Sequence, residues 1–273
     1  MQPRAIELYF SQVLRRVGRA IESAILDVVE PRIAEFAAPE SDEIKTKLDA
    51  PAADGEPGAV RSILSAVRAE VGRVIENAKK DVHKASETAG KRAVTHSRKE
   101  FERLKIKLRK TEPDFGPKIA EWRKENVTLI VSMSEKKVAR IGKLLDNLAG
   151  MRVETLRNAI TESVGAVRRQ AELIARDQVL KINAQITEDR QVAAGIEEYI
   201  WTCSGDERVR GRPDGLYPNA EPSHWDLDGQ RFKWSEPPVS GPNGMCGNPG
   251  EMFQCRCTAY PILPELEELD EAA

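Results

Sequence analysis

The chain has 273 residues and a mass of 30.4 kDa, enough for one large domain or two modest ones. Charged residues make up 32% and the hydrophobic set 40%, and 42 Lys plus Arg nearly balance 44 Asp plus Glu. That balance excludes a globally basic nucleic-acid binder, though not a local basic patch. The longest apolar stretch, Thr128 to Met133, falls far short of the roughly 18–20 residues a membrane helix needs, so no membrane partner is expected. The opening MQPRAIELYF lacks the basic-then-apolar order of a secretory signal, which implies synthesis in the cytoplasm.

The first predicted element covers residues 4–36. Ile6, Phe10, Val13, Val17, Ile21, Ile25 and Val28 recur in steps of three and four and mark one helix face. Pro31 should end or kink its first part. Residues 37–58 are polar with Pro and Gly at both ends, the composition of a flexible linker. A second periodic run follows at Val60, Ile63, Leu64, Val67, Val71, Val74, Ile75, Ala78 and Val82, close to a heptad, so a partner helix is expected. It breaks at TEPDFGP (111–117). Beyond that, residues 118–212 contain no proline, and Gly142, Gly150 and Gly165 predict three or four helices, the last capped at Gly195.

Residues 76–110 hold twelve Lys and Arg against five acids. Lys79, Lys80, Lys84, Lys91, Arg92, Arg98 and Lys99 are the candidate phosphate-binding set, which would make binding salt-sensitive. An exposed helix face with interspersed Glu partners explains the same charges. Phe101 is the lone aromatic there, so base stacking is not suggested.

Composition changes near residue 195. All four cysteines (Cys203, Cys246, Cys255, Cys257), three of four tryptophans (Trp201, Trp225, Trp234) and nine of 16 prolines lie beyond it. Dense Gly, Pro and aromatic residues predict short strands and loops. A strand is expected at 196–201, a tight turn at Asp228-Gly229 and a short final strand at 258–262. The fold class is therefore α+β, in four parts. An N-terminal helix and linker (1–58) precede a helical region (59–195), a loop-rich module (196–264) and an acidic tail (265–273). The tryptophans are expected in the module's core.

The order of several motifs is specific. Ala171-Glu-Leu-Ile-Ala-Arg-Asp-Gln-Val-Leu-Lys181 comes first, then Glu198-Tyr-Ile-Trp201 and Asp206-Glu-Arg-Val-Arg210. His224 with Leu227-Asp-Gly229 follows, then Pro249-Gly250 ahead of Cys255-Arg-Cys257. In this order they resemble the phage Mu F-like minor head protein family, also called phage head morphogenesis proteins, over about residues 119–263. The insert 211–223, which separates Arg210 from His224, departs from the family pattern, and Cys203 and Cys246 resemble a subset. The resemblance implies a minor head protein made in the host cytoplasm and carried in the virion, inside the capsid near the portal vertex. Its implied partners are the portal protein, other head proteins and packaged double-stranded DNA.

Zinc takes four thiolate or imidazole ligands in a tetrahedron, and Cys203, His224, Cys255 and Cys257 could supply them, with Cys246 as a substitute. One CxC and scattered singles are less distinctive than paired CxxC knuckles. Two disulfides, or plain burial of small apolar thiols, fit the same residues. Asp206, Arg208 and Arg210, with the Asp228-Gly229 turn, read as a structural charge network and corner. A metal-dependent nuclease or hydrolase could be built from His224, Asp206, Asp226 and Asp228, but their spacing matches no catalytic motif, so no enzyme activity is expected.

Overall fold

The computed structural model describes residues 4–35, 57–107, 111–147 and 151–263. Of the expected linker 37–58, residues 37–56 lie outside the described residues, as do Arg109, Lys110 and the acidic tail, while Pro57 and Gly58 open a helix instead. In chain order the elements are α1 (Arg4–Val29), a 3-10 turn (Glu30–Glu35), α2 (Pro57–Arg103), α3 (Gly116–Asn147) and α4 (Val153–Ala193). Then come β1 (Glu198–Thr202), α5 (His224–Leu227), β2 (Arg231–Lys233), a second 3-10 turn (Pro242–Gly244) and β3 (Thr258–Pro261). The fold is α+β, long helices followed by a small antiparallel sheet.

The helical pattern is largely as the periodicity predicts. The α-helical part of the first element stops at Val29, before Pro31, which sits in the 3-10 turn. The second run and the basic stretch as far as Arg103 form one 47-residue helix, α2. Gly142 and Gly165 do not divide the next stretch as expected: α3 runs through the first and α4 through the second. Gly142 has a packing reason, since a Cβ there would stand 2.9 Å from a Leu64 methyl.

The chain forms two compact units. One comprises Ser11–Ala85 and Lys124–Ile174. Its core holds Leu14, Ile21, Ile25, Ile63, Val67, Ile141, Leu145, Leu156 and Ile160, the apolar stripes of four helical segments. Gly18 lets α1 approach α4, where a Cβ would come 3.1 Å from the Arg168 Cα. Lys137 is buried with its Nζ donating to the Ser163 carbonyl at 2.8 Å.

The other unit comprises Met1–Phe10, Ser86–Arg123 and Ala175–Ala273. Small buried residues on α2 (Ala89, Gly90, Ala93) admit the start of α3, and a Cβ on Gly90 would meet Ile119 at 2.9 Å. Arg190 is fully buried, donates to the Val94 carbonyl, pairs with Glu112 and lies over the rings of Phe101 and Phe115. It thereby fixes the 111–117 connection to both helices. The C-terminus of α4 is a Schellman cap: Gly195 has φ 79°, its N–H bonds Val192 O, and Ile196 N–H bonds Gln191 O.

From that cap the chain enters β1, the central strand of a sheet ordered β2-β1-β3, antiparallel throughout. The strand starts at Glu198 rather than 196 because Ile196 belongs to the cap. Alternation along β1 buries Tyr199 and Trp201 among Trp234, Met252, Cys255 and Cys257, while Phe232 packs on the same cluster. Trp225 departs from the expectation of a core residue: it is half-buried beneath the Arg212 guanidinium, 5.2 Å from its ring centre. Its neighbour His224 takes the buried position instead.

Candidate metal centre

Two separated segments bring their side chains to one buried point. His224 is the first residue of α5, whose N-terminus is capped by the Ser223 hydroxyl accepting from Asp226 N–H at 3.1 Å. The cap orients His224 inward, against the edge of Trp201 at 5.4 Å between ring centres. The insert 211–223 does not displace it. Gly211, with φ 78°, packs against Ser223, its N–H bonds Tyr217 O, and Trp225 N–H returns to Arg210 O at 3.0 Å. The insert therefore closes on itself and leaves Arg210 and His224 as neighbours.

Cys255 and Cys257 precede β3 on a tight loop. Gly250, with φ 92°, turns its N–H onto the Cys255 sulfur at 3.4 Å. Gln254, also at positive φ, is held by its N–H bond to the Asp177 carboxylate of α4 at 2.7 Å. With the loop so fixed, both sulfurs reach the same ring nitrogen. Cys255 Sγ is 3.5 Å and Cys257 Sγ 3.7 Å from His224 Nδ1. The intervening Arg256 points the other way and pairs with Asp206.

His224 Nε2 lies 2.8 Å from the Ser240 carbonyl, which can only accept, so Nε2 carries the proton. The lone pair of Nδ1 is thereby aimed at the two sulfurs. A ligating histidine commonly shows this arrangement, with its outer N–H anchored on a carbonyl. Zn–S bonds of about 2.3 Å and Zn–N bonds of about 2.0–2.1 Å give tetrahedral edges of about 3.6–3.8 Å, close to the separations found. The three ligand atoms lie within 4.8 Å of one another, all on buried residues. This His/Cys/Cys cluster has the donor set and spacing of a metal site.

The electrostatics favour a thiolate at Cys255 alone of the pair. Hydrogen bonding from Cys257, assisted by His224 and opposed by burial, holds the Cys255 thiol well below the ordinary range. The Cys257 thiol is driven up by its hydrogen bonds with Cys203 and Cys255 and by burial. Burial works to lower the His224 pKa, but the contact with Cys255 outweighs it and leaves the imidazole raised.

The remaining predicted residues fall into place around this point. Cys203 is half-buried with its sulfur 3.5 Å from Cys257 Sγ. Cys246 is exposed, bridged to Val239, with its sulfur toward Gly244 O, and stands outside the cluster. Asp228 accepts the Cys203 N–H at 2.7 Å, and Gly229, at φ 77°, donates to Trp201 O. Asp206 is not in a buried triad with Arg208 and Arg210. It pairs with Arg256 and holds the Arg208 N–H, while the Arg208 guanidinium stands 3.6 Å away and Arg210 donates to Glu221 O.

All seven candidate DNA-binding cations lie on α2. Lys79 pairs with Glu76, Lys91 with Glu87 and Arg98 with Glu112, and Arg92 lies over the Tyr9 ring. Lys80, Lys84 and Lys99 are exposed. Sequence reasoning missed Asp177, Ser240 and Arg256 as supports of the cluster. Asp177 was the accessible one: it is an acid on a helix face that also carries Ala171, Ala175 and Gln178 inward.

The described fold is a set of long helices followed by a small α+β module that holds a His/Cys/Cys cluster. Residues 143–260 match the family described as Phage Mu protein F like protein, in agreement with the resemblance carried by the motifs. Over 162 residues, 59% of the chain, it is 29% identical to an uncharacterized protein of Haemophilus influenzae. The match covers 33% of that protein, so the chain spans about a third of the relative's length. No solved structure matches the chain. Among the described residues no helix is long and apolar enough to cross a membrane.

Proposed function

We propose that this chain is a minor head protein of a tailed phage. In this reading it sits inside the capsid at the portal vertex, contacts the portal and neighbouring head proteins, and acts in head assembly or in DNA packaging and delivery. The Mu F-like match over residues 143–260 carries the reading. The match spans the α4 cap, the three-stranded sheet and the Cys/His cluster, so it covers a physically continuous piece of structure. Within it, zinc held by His224, Cys255 and Cys257 ties α5 to the segment before β3 and stiffens a module of short strands.

The reading assigns the module no catalysis. The acids a hydrolase would need are engaged in structure: Asp206 with Arg256, Asp228 with the Cys203 N–H. His224 is buried with Nε2 anchored on Ser240, which suits a ligand more than a general base. The test is co-purification of the full chain with its cognate portal, together with head formation in a deletion background. Portal capture and aberrant or empty heads on deletion are expected. Normal infectious particles without the gene would overturn the reading, as would turnover of a nucleic-acid substrate abolished by His224→Ala.

A second reading makes the chain a DNA-binding internal head protein acting through α2. The exposed Lys80, Lys84 and Lys99 favour it, while the ion pairs of Lys79, Lys91 and Arg98 satisfy much of that charge internally. Loss of salt-sensitive duplex binding in Lys80→Glu/Lys99→Glu, with portal capture intact, would select it.

A further inference from the structure

We infer that Cys203 is the fourth ligand of the cluster, making it a closed Cys3His site for a soft divalent cation of the zinc class, with no position left for water or substrate. The inference rests on the zinc reading of His224, Cys255 and Cys257 given above and completes it. Cys203 comes from a third chain segment, directly after β1. Its backbone is fixed, N–H on the Asp228 carboxylate at 2.7 Å, so its side chain is presented in one place. From there the sulfur lies 3.5 Å from Cys257 Sγ, about the edge of a zinc tetrahedron, and donates to the His224 carbonyl at 2.9 Å, outside the three atoms that lie within 4.8 Å of one another. Metal binding displaces the proton that makes the carbonyl contact and exchanges the carbonyl for the ion as the sulfur's partner.

An independent observation points the same way. The Trp201 indole Nε1–H is buried without a hydrogen-bond partner. An orphaned buried donor is unfavourable, because it has given up water without gaining a partner. Cys203 packs on the same cluster two residues further along the chain, and a metal-bound thiolate there is the strong acceptor that the indole lacks beside a neutral thiol. Gly250 N–H already serves Cys255 in this way at 3.4 Å. Backbone and indole N–H donors to ligand sulfurs spread the excess negative charge that three thiolates leave on a divalent ion. Cys246, exposed and turned toward Gly244, has no comparable support.

A site with four protein ligands is structural, because a catalytic zinc keeps one position open. It would join the end of β1, the start of α5 and the segment before β3 in one crosslink. Those residues are 21 and 54 positions apart from Cys203 in sequence.

The test uses the full chain loaded with Co2+ in place of Zn2+. Tetrahedral d–d bands are expected, with a near-ultraviolet thiolate-to-cobalt band of three-thiolate strength. Cys203→Ser should lower that band by about a third and weaken metal affinity by about 100-fold, whereas Cys246→Ser should change neither. An unchanged spectrum in Cys203→Ser, or loss in Cys246→Ser instead, overturns the inference and leaves the three-residue site standing. Failure of the unmutated chain to bind Co2+ or Zn2+ overturns the zinc reading itself. Alkylation of the unmutated chain guards against a misfolded variant. Metal should protect Cys203 from iodoacetamide while Cys246 reacts with or without it, and equal Cys203 labelling in metal-loaded and chelated protein refutes the fourth ligand.

Discussion

Replacing Gly250 by alanine isolates the contact that sets the Cys255 loop. Two costs add. At φ 92° a side chain is strained by about 1–2 kcal/mol. The new Cβ would also lie 2.8 Å from the Ala184 Cβ on α4, and relieving that overlap by shifting loop or helix costs about 1–2 kcal/mol. Gly250→Ala is therefore expected to destabilise by about 2–4 kcal/mol and to move the N–H that serves the Cys255 sulfur. Ala184→Gly removes the other half of the overlap at the expense of about 1 kcal/mol of helix propensity. If the overlap is real, the double variant loses only strain and propensity, about 2–3 kcal/mol, against an additive expectation of about 3–5 kcal/mol. Urea unfolding followed by tryptophan fluorescence reads all four corners of this cycle, since Trp201 and Trp234 lie in the module core. Strict additivity would refute the packing argument, and an undamaged Gly250→Ala would refute the backbone argument as well.

Two further substitutions address charge. Lys137 is buried, and burial first, then Arg140 and Arg169 against Glu22, lowers its pKa. Lys137→Met keeps the length and removes the desolvated ammonium, and the Ser163 carbonyl retains its helical N–H, so a gain of about 1 kcal/mol in urea unfolding is expected; a loss would show that the ammonium contact outweighs its desolvation. Asp206→Asn should cost about 1–2 kcal/mol at neutral pH, between the exposed and buried limits for an ion pair, because Arg256 is largely covered and Asp206 is not. The hydrogen bond from Arg256 lowers the Asp206 pKa, so its contribution is present above the unfolded value of about 3.9 and fades as pH falls through the folded one. The stability gap between wild type and variant should close on titration from pH ~5 to ~2, and a gap that widens would refute the pairing.

How much of this was legible in the sequence follows from the range of the forces involved. The stripes on α1 and α2 are set by local periodicity, so residues such as Phe10, Val17, Ile63 and Val67 were named as a helix face and are buried. The glycines misled because a glycine is permissive and not obligatory for a break: Gly142 serves a close approach to Leu64 that no local pattern records. The same limit applies at the cluster. Residue type alone nominated His224, Cys255 and Cys257, since few other side chains bind zinc. What the sequence could not reveal is which carbonyl fixes the imidazole. That partner, Ser240, is a backbone group 16 residues away and carries no signature of residue type. Nor could it separate Cys203 from Cys246, two isolated cysteines of equal chemistry. The difference lies in where Asp228 holds the backbone of one and the bridge to Val239 holds that of the other. Ligand identity is thus written in composition, whereas ligand choice is written in the turns that aim each sulfur, and those turns depend on contacts distant in sequence such as Asp177 with Gln254.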